Sequence, residues 1–166
     1  MKKVVMVIPQ DQFRDEELLA PKQILEQGKV EVKVASTTLN PVKGMLGAKV
    51  KPDILLADIN VRDFDALVFI GGMGATQYWD DEKALQLARD TVNNSRIIAA
   101  ICIAPVTLAK AGILKGKRAT VSSSEAGLLE EGGAIYTGRL VEKDGDIITA
   151  SCPSAASEFG KEILRA

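Results

Sequence analysis

The chain has 166 residues, of which 46% are apolar, 26% charged and 4% aromatic, and its formal net charge is −1. These values fit one ordinary domain (residues 1–166) able to bury a core without disulfides or metal, and they exclude a basic patch for nucleic acid or an anionic membrane surface. There are two cysteines and no histidine. That removes every histidine-dependent triad and every histidine-containing metal site, and no metal or other cofactor is expected.

Val4–Ile8 is a β-branched run that reads as a buried strand. The run from Val4 to Pro9 is too short for a signal-peptide core, and no later stretch approaches the roughly 18 apolar residues of a spanning helix, so a cytoplasmic protein is expected. Glu16–Gln27 carries apolar residues at Leu18, Leu19, Ile24 and Leu25 and meets Gly28, which predicts a helix with a glycine cap. Val30–Ala35 is the second strand. Asn40–Asp58, punctuated by Pro41, Gly44, Gly47 and Pro52, reads as hairpin and loop. Ala66–Ile70 is a third strand running into Gly71–Gly72. Asp80 is placed to cap a helix bearing Ala84, Leu85, Leu87, Ala88 and Val92.

Arg96–Ile101 is a fourth strand that leads directly into Cys102. A helix over Pro105–Ala111 follows, then a short strand at Ala119–Val121 and a helix at Ser124–Glu131. Leu140–Lys143 and Asp146–Ala150 flank Asp144–Gly145, a hairpin signal, and Pro153 opens a last helix to Leu164. Strands alternating with helices predict an α/β fold, a three-layer sandwich with a mostly parallel sheet covered on both faces. In such sheets function sits at the carboxyl ends of strands.

Three features fall at such ends. Ala99, Ala100 and Ala104 leave room for a sharp turn at Cys102, the geometry of an elbow that presents a nucleophile. A thiol close to a helix N-terminus is expected to have a lowered pKa; the competing reading is a buried, inert cysteine. Gly71–Gly72 can turn backbone N–H groups toward an oxyanion. The triplet Asp15-Glu16-Glu17 opens the first helix, where acidic residues commonly complement the dipole, but one carboxyl directed inward would supply the proton transfer that histidine cannot.

These segments together resemble the ThiJ/PfpI family of the class I glutamine amidotransferase-like superfamily, which includes the parkinsonism-associated deglycase and archaeal intracellular proteases. The matching pieces span the chain: 16–21, 65–72, 99–102, 108–117 and 147–151. The resemblance implies a flavodoxin-like fold, a homodimer or larger homo-oligomer, a nucleophile at Cys102, its glutamate partner at Glu17, and an oxyanion hole at Gly71 and Gly72, with the backbone of Ile103 following the nucleophile. It also marks departures. Ile103 and Ala104 stand where protease-like members carry His and Gly, Ser122 stands where deglycase-like members often carry His, and the region of Ser151 and Cys152 lacks the family's arginine. Ser122, Ser151 and Cys152 are therefore candidate pocket residues. The expected activity is cofactor-independent, glyoxalase- or deglycase-like chemistry (lyase or hydrolase) on a small aldehyde or glycated substrate. A redox sensor or stress-response chaperone acting through Cys102 oxidation is the alternative. A peptidase is disfavoured, because nothing replaces its imidazole.

Overall fold

In the computed structural model, which describes residues 1–166, the first β-branched run forms β1 (Lys3–Val7), an interior strand of a seven-stranded sheet. The remaining strands of this sheet are β2 (Glu31–Ser36), β5 (Ile54–Leu55), β6 (Ala66–Phe69), β7 (Ile97–Ile101), β10 (Val141–Asp144) and β11 (Ile147–Ala150), in the order β10-β11-β7-β6-β1-β2-β5. All neighbours run parallel except β10, which closes one edge antiparallel to β11. Two small ribbons lie outside the sheet: β3 (Val42–Lys43) with β4 (Lys49–Val50), and β8 (Arg118–Ala119) with β9 (Ile135–Tyr136).

The central strands are buried on both faces, and alternate residues belong to different cores. Val4, Met6, Val68, Ala99 and Ile148 pack beneath α1 (Asp15–Gln27) and α5 (Ala156–Arg165) through Leu18, Leu25, Phe159 and Ile163. Val5, Val7, Leu67, Phe69 and Ile98 pack on the opposite face. There they meet α2 (Glu82–Asn93), α3 (Pro105–Lys110) and α4 (Ala126–Glu131) through Ala84, Leu85, Val106, Leu108 and Leu129. This is the flavodoxin-like three-layer sandwich. Strand order reverses beside β1, with β2 on one side and β6 on the other, so the carboxyl ends of β1, β6 and β7 open into one crevice.

Several boundaries differ from the sequence reading. The cap of α2 is Asp81 rather than Asp80, its carboxylate accepting from the Lys83 N–H. The hairpin turns at Gly145–Asp146, since Asp144 pairs with Ile147 and Gly145 takes the left-handed φ of 61°. Pro153 begins a 3₁₀ turn (Pro153–Ala155), and α5 starts only at Ala156. Elements absent from the reading are short: the edge strand β5 inside the segment read as loop, β9, whose two residues show no period, and 3₁₀ turns at Leu56–Asp58, at Val61–Asp63 and, longest, at Met73–Tyr78. The last of these is anchored by Tyr78, 2% exposed, which donates its hydroxyl to Ile8 O at 2.7 Å and packs edge-on against Phe69.

Candidate active site

Cys102 follows β7 with φ of 65°, a left-handed conformation that costs a non-glycine residue about 1–2 kcal/mol. The surroundings impose it. The Cys102 N–H donates to Ala150 O at 2.9 Å, continuing the ladder with β11, while the Cys102 carbonyl accepts from the Ser122 N–H at 2.8 Å. Trp79 Nε1 reaches Ile103 O at 3.3 Å from the other side. The chain therefore turns sharply out of the sheet and offers the thiol to the crevice.

The acidic triplet divides into three separate tasks. Asp15, 7% exposed, accepts the backbone N–H groups of Leu46 and Ala48 at 2.9 and 2.8 Å and so holds the β3–β4 hairpin. Burial raises its pKa, but those N–H groups outweigh burial and leave it lowered overall. Glu16 is half-exposed and pairs with Arg14, whose hydrogen bond lowers its pKa. Glu17 is 0% exposed and turns inward. Neither of its carboxyl oxygens has a partner at ordinary hydrogen-bond geometry; the polar groups it faces are the Cys102 thiol and the Gly71 N–H. Burial raises its pKa to about 7, against the lowering influence of those two neighbours.

The expected lowering of the Cys102 pKa does not occur. Burial first, and then the negative charge of Glu17, push the thiol up to about 12, and the N–H groups of Ile103 and Gly72 only partly oppose this. The following helix has six residues and begins at Pro105, too short and too remote for its dipole to prevail. Glu17 and Cys102 are thus a coupled pair that loses one proton near neutrality and holds the second tightly.

Glycine is required where this pair meets β6. A Cβ on Gly71 would lie 2.4 Å from Glu17 Oε1 and 2.7 Å from Cys102 Cβ, and one on Gly72 would lie 2.4 Å from Arg14 N, at a φ of 109°. The N–H groups of the three backbone positions are divided. That of Gly71 addresses Glu17, whereas those of Gly72 and Ile103 address the sulfur.

A cavity of about 280 Å³ opens above the thiol, lined by Glu17, Gly72, Cys102 and Ile103 together with Arg14, Met45, Met73 and Pro153. The last four were not singled out from the sequence. Met45 and Met73 carried a usable signal, being apolar residues in glycine-flanked loops; they meet where the Met73 N–H points at Met45 Sδ, 3.4 Å away. Ser122, Ser151 and Cys152 are not among the lining residues. Ser122 contributes its backbone to the elbow, and its hydroxyl lies 3.3 Å from Ser124 Oγ. Ser151 Oγ and Ser154 Oγ lie 3.6 and 3.1 Å from Cys152 Sγ. Burial raises the Cys152 pKa, but the Ser154 and Ser151 hydroxyls and the Ala155 and Ser154 N–H groups outweigh it and lower it overall.

A doubly wound sheet with a cysteine elbow at its crevice and a buried carboxyl beside it defines an α/β protein of the class I glutamine amidotransferase-like type. Within that class the chain belongs to the DJ-1/PfpI family, whose profile matches residues 2–166. An uncharacterized protein of Methanocaldococcus jannaschii is 43% identical over 99% of this chain and 82% of its own length. A deglycase of Pyrococcus furiosus is 29% identical over 97% of both chains, and a glutathione-independent glyoxalase of Caenorhabditis elegans is 28% identical over 98% and 87%. A ThiJ/PfpI domain protein of Brachyspira murdochii superposes with a TM-score of 0.96 at 31% identity, covering 98% and 94%. The family thus includes relatives of deglycase and glyoxalase type. No helix is long and apolar enough to cross a membrane.

Proposed function

We propose that the protein converts small reactive carbonyl compounds, methylglyoxal or its adducts, to hydroxy acids, with Cys102 as nucleophile and Glu17 as its proton acceptor and donor. The observation that carries this reading is the fully buried Glu17 carboxyl facing the thiol, with its pKa raised to about 7. A group poised near neutrality serves as base in one step and acid in the next. It also answers the high pKa of the thiol, because the sulfur surrenders its proton to Glu17 as it attacks and need not ionise beforehand.

In this mechanism the sulfur bonds to the aldehyde carbon, the carbonyl π electrons move to oxygen, and the thiol proton passes to Glu17. The N–H groups of Gly72 and Ile103 stabilise the oxyanion, which the thiol proton then neutralises as a hemithioacetal. Glu17 next takes the proton from the hemithioacetal carbon to give an enediol, whose hydroxyl proton moves from the first oxygen to the former ketone oxygen as Glu17 returns a proton to the adjacent carbon, leaving a thioester of the hydroxy acid. Water cleaves that thioester, so methylglyoxal and water become lactate and the thiol is regenerated. Gly71 keeps Glu17 and Cys102 at close approach. The relatives named as a deglycase and a glyoxalase support the substrate class. The oxidation-sensor reading draws less support, since a thiol pushed up to about 12 supplies little thiolate for peroxide. Homodimeric or larger assembly and a cytoplasmic location belong to the same proposal; sedimentation velocity reads the first.

The test is lactate release from methylglyoxal by the purified protein. Wild type is expected to turn over with kcat/KM rising through an apparent pKa near 7, and Cys102→Ala and Glu17→Gln each to lose at least roughly 10²–10³-fold. Full activity in Cys102→Ala would overturn the mechanism.

A further inference from the structure

Arg14 is the only cationic residue lining the cavity above Cys102, where Met45, Met73, Ile103 and Pro153 make the walls largely apolar. Its position is set at both ends. The backbone N–H donates to Gly71 O at 2.9 Å, and the guanidinium grips Glu16 through Nε to Oε1 at 2.8 Å and Nη2 to Oε2 at 3.0 Å. This fork occupies two of the five N–H donors of an arginine and leaves both on Nη1 and one on Nη2 without a protein partner. A guanidinium held on one edge has little rotamer freedom left to lose, and its free edge matches the planar, two-oxygen geometry of a carboxylate or phosphate.

We propose that Arg14 is a specificity residue that selects anionic carbonyl compounds: the site takes a small aldehyde bearing a carboxylate or phosphate, with the anionic group on Arg14 and the aldehyde carbon at Cys102. The proposal rests on reading Cys102 as the nucleophile and names the substrate class that this nucleophile prefers. A neutral carbonyl compound offers the free guanidinium edge no charge to pair with. An anion placed among methionine, isoleucine and proline walls is unfavourable without a charged partner, and Arg14 is the one such partner present. Two carboxyls oppose the attraction. Glu16 is half-exposed and already paired with Arg14, and Glu17 is buried beside the thiol and shares one charge with it, which leaves a net preference of roughly tenfold at the separations that a small substrate spans.

Iodoacetate and iodoacetamide test this without requiring turnover, because they share a leaving group and nearly a shape but differ in charge. With either reagent the sulfur of Cys102 bonds to the methylene carbon, the carbon–iodine bond breaks with its electron pair leaving on iodide, and the thiol proton passes to solvent. Modification at Cys102 is followed by peptide mass spectrometry in a Cys152→Ser background, at one pH so that Glu17 carries the same charge toward both reagents. The ratio of the iodoacetate rate to the iodoacetamide rate is expected to fall roughly tenfold in Arg14→Gln, to stay within about threefold of wild type in Arg14→Lys, and to rise in Glu16→Gln. The iodoacetamide rate reports in each variant that the elbow is intact. An unchanged ratio in Arg14→Gln overturns the proposal. A ratio that falls as expected in a protein that turns over no aldehyde upholds the anion preference of the thiol and overturns the carbonyl chemistry instead.

Discussion

Cys102 and Cys152 stand just beyond the ends of adjacent parallel strands, β7 and β11, whose register pairs Ile101 with Ala150. Their environments nonetheless drive the two thiols in opposite directions. Cys102 sits in a left-handed elbow against a buried carboxyl, and its pKa is pushed up to about 12. Cys152 is in extended backbone with φ of −163°, bonded by serine hydroxyls and backbone N–H groups, and its pKa is lowered. Position beyond a strand end therefore does not make a thiol acidic; desolvation, neighbouring charge and donated hydrogen bonds decide. The contrast also separates two kinds of usefulness. Cys152 is better suited to spontaneous reaction with a soluble electrophile, whereas Cys102 reacts slowly unless, as in the proposed mechanism, Glu17 takes its proton.

The widest separation is expected in turnover. Cys102→Ala is expected to abolish lactate release, while Cys152→Ser retains it within about twofold; a comparable loss in both would erase the distinction. Intrinsic reactivity is expected to run the other way. At pH 7.5 iodoacetamide should modify Cys152 at least roughly tenfold faster than Cys102 in wild type, as read by peptide mapping, and the reverse order would show that Cys102 is ionised at rest.

Stability supplies a third test, of the carboxyl that makes Cys102 different. A pKa raised from 4.5 to about 7 means that the folded state holds a proton the unfolded chain has released. Stability contributed by the protonated form is complete below the unfolded value of 4.5 and is lost as pH rises to about 7, by roughly 3 kcal/mol. Glu17→Gln removes this dependence. In urea unfolding the variant should gain on wild type between pH 4.5 and pH 8 by about that amount; a constant difference between the two would place the carboxyl in water. The smallest effect concerns the neighbouring acid. Asp15→Asn replaces a carboxylate that accepts two backbone N–H groups and should cost roughly 1–2 kcal/mol at neutral pH. Because the Asp15 pKa is lowered, the stability it contributes is present above its ordinary value near 3.8 and is lost as pH falls through the folded value, so the penalty should shrink in strong acid.

The layered fold was readable because its central strands are apolar runs closed by glycine or a helix cap, and these found their places in the sheet; the short run read at 119–121 instead ends a side ribbon, β8, beginning at Arg118. What escaped were two-residue strands and the 3₁₀ segment at Met73–Tyr78, which have no period to detect. At the site, Cys102 and the glycine pair announced themselves by position after strands. The choice of Glu17 among three consecutive acids does not follow from helical spacing and rests on the family resemblance. The structure explains the division: Asp15 is engaged by the hairpin, Glu16 by Arg14, and only Glu17 faces the sheet. Arg14 was missed because nothing local marks a charged residue as a pocket wall, and the two methionines because their signal, an apolar residue beside loop glycines, does not say that the two loops meet. The acidity of Cys102 was misjudged because helix-terminus arguments take no account of how deeply the thiol is desolvated.

The β3–β4 hairpin hangs on the Asp15 carboxylate, and the loop joining its strands leaves Met45 and Leu46 in solvent, 37% and 64% exposed. The reacting pair, by contrast, is bolted to the central sheet. Part of the cavity wall, at Met45, is therefore carried by the hairpin, while Cys102 and Arg14 are fixed to the strand ends of the sheet. Side chains at the hairpin tip can be exchanged, lengthened or charged without disturbing the elbow, so the same thiol and carboxyl can be refitted to a new clientele by rewriting a few surface positions.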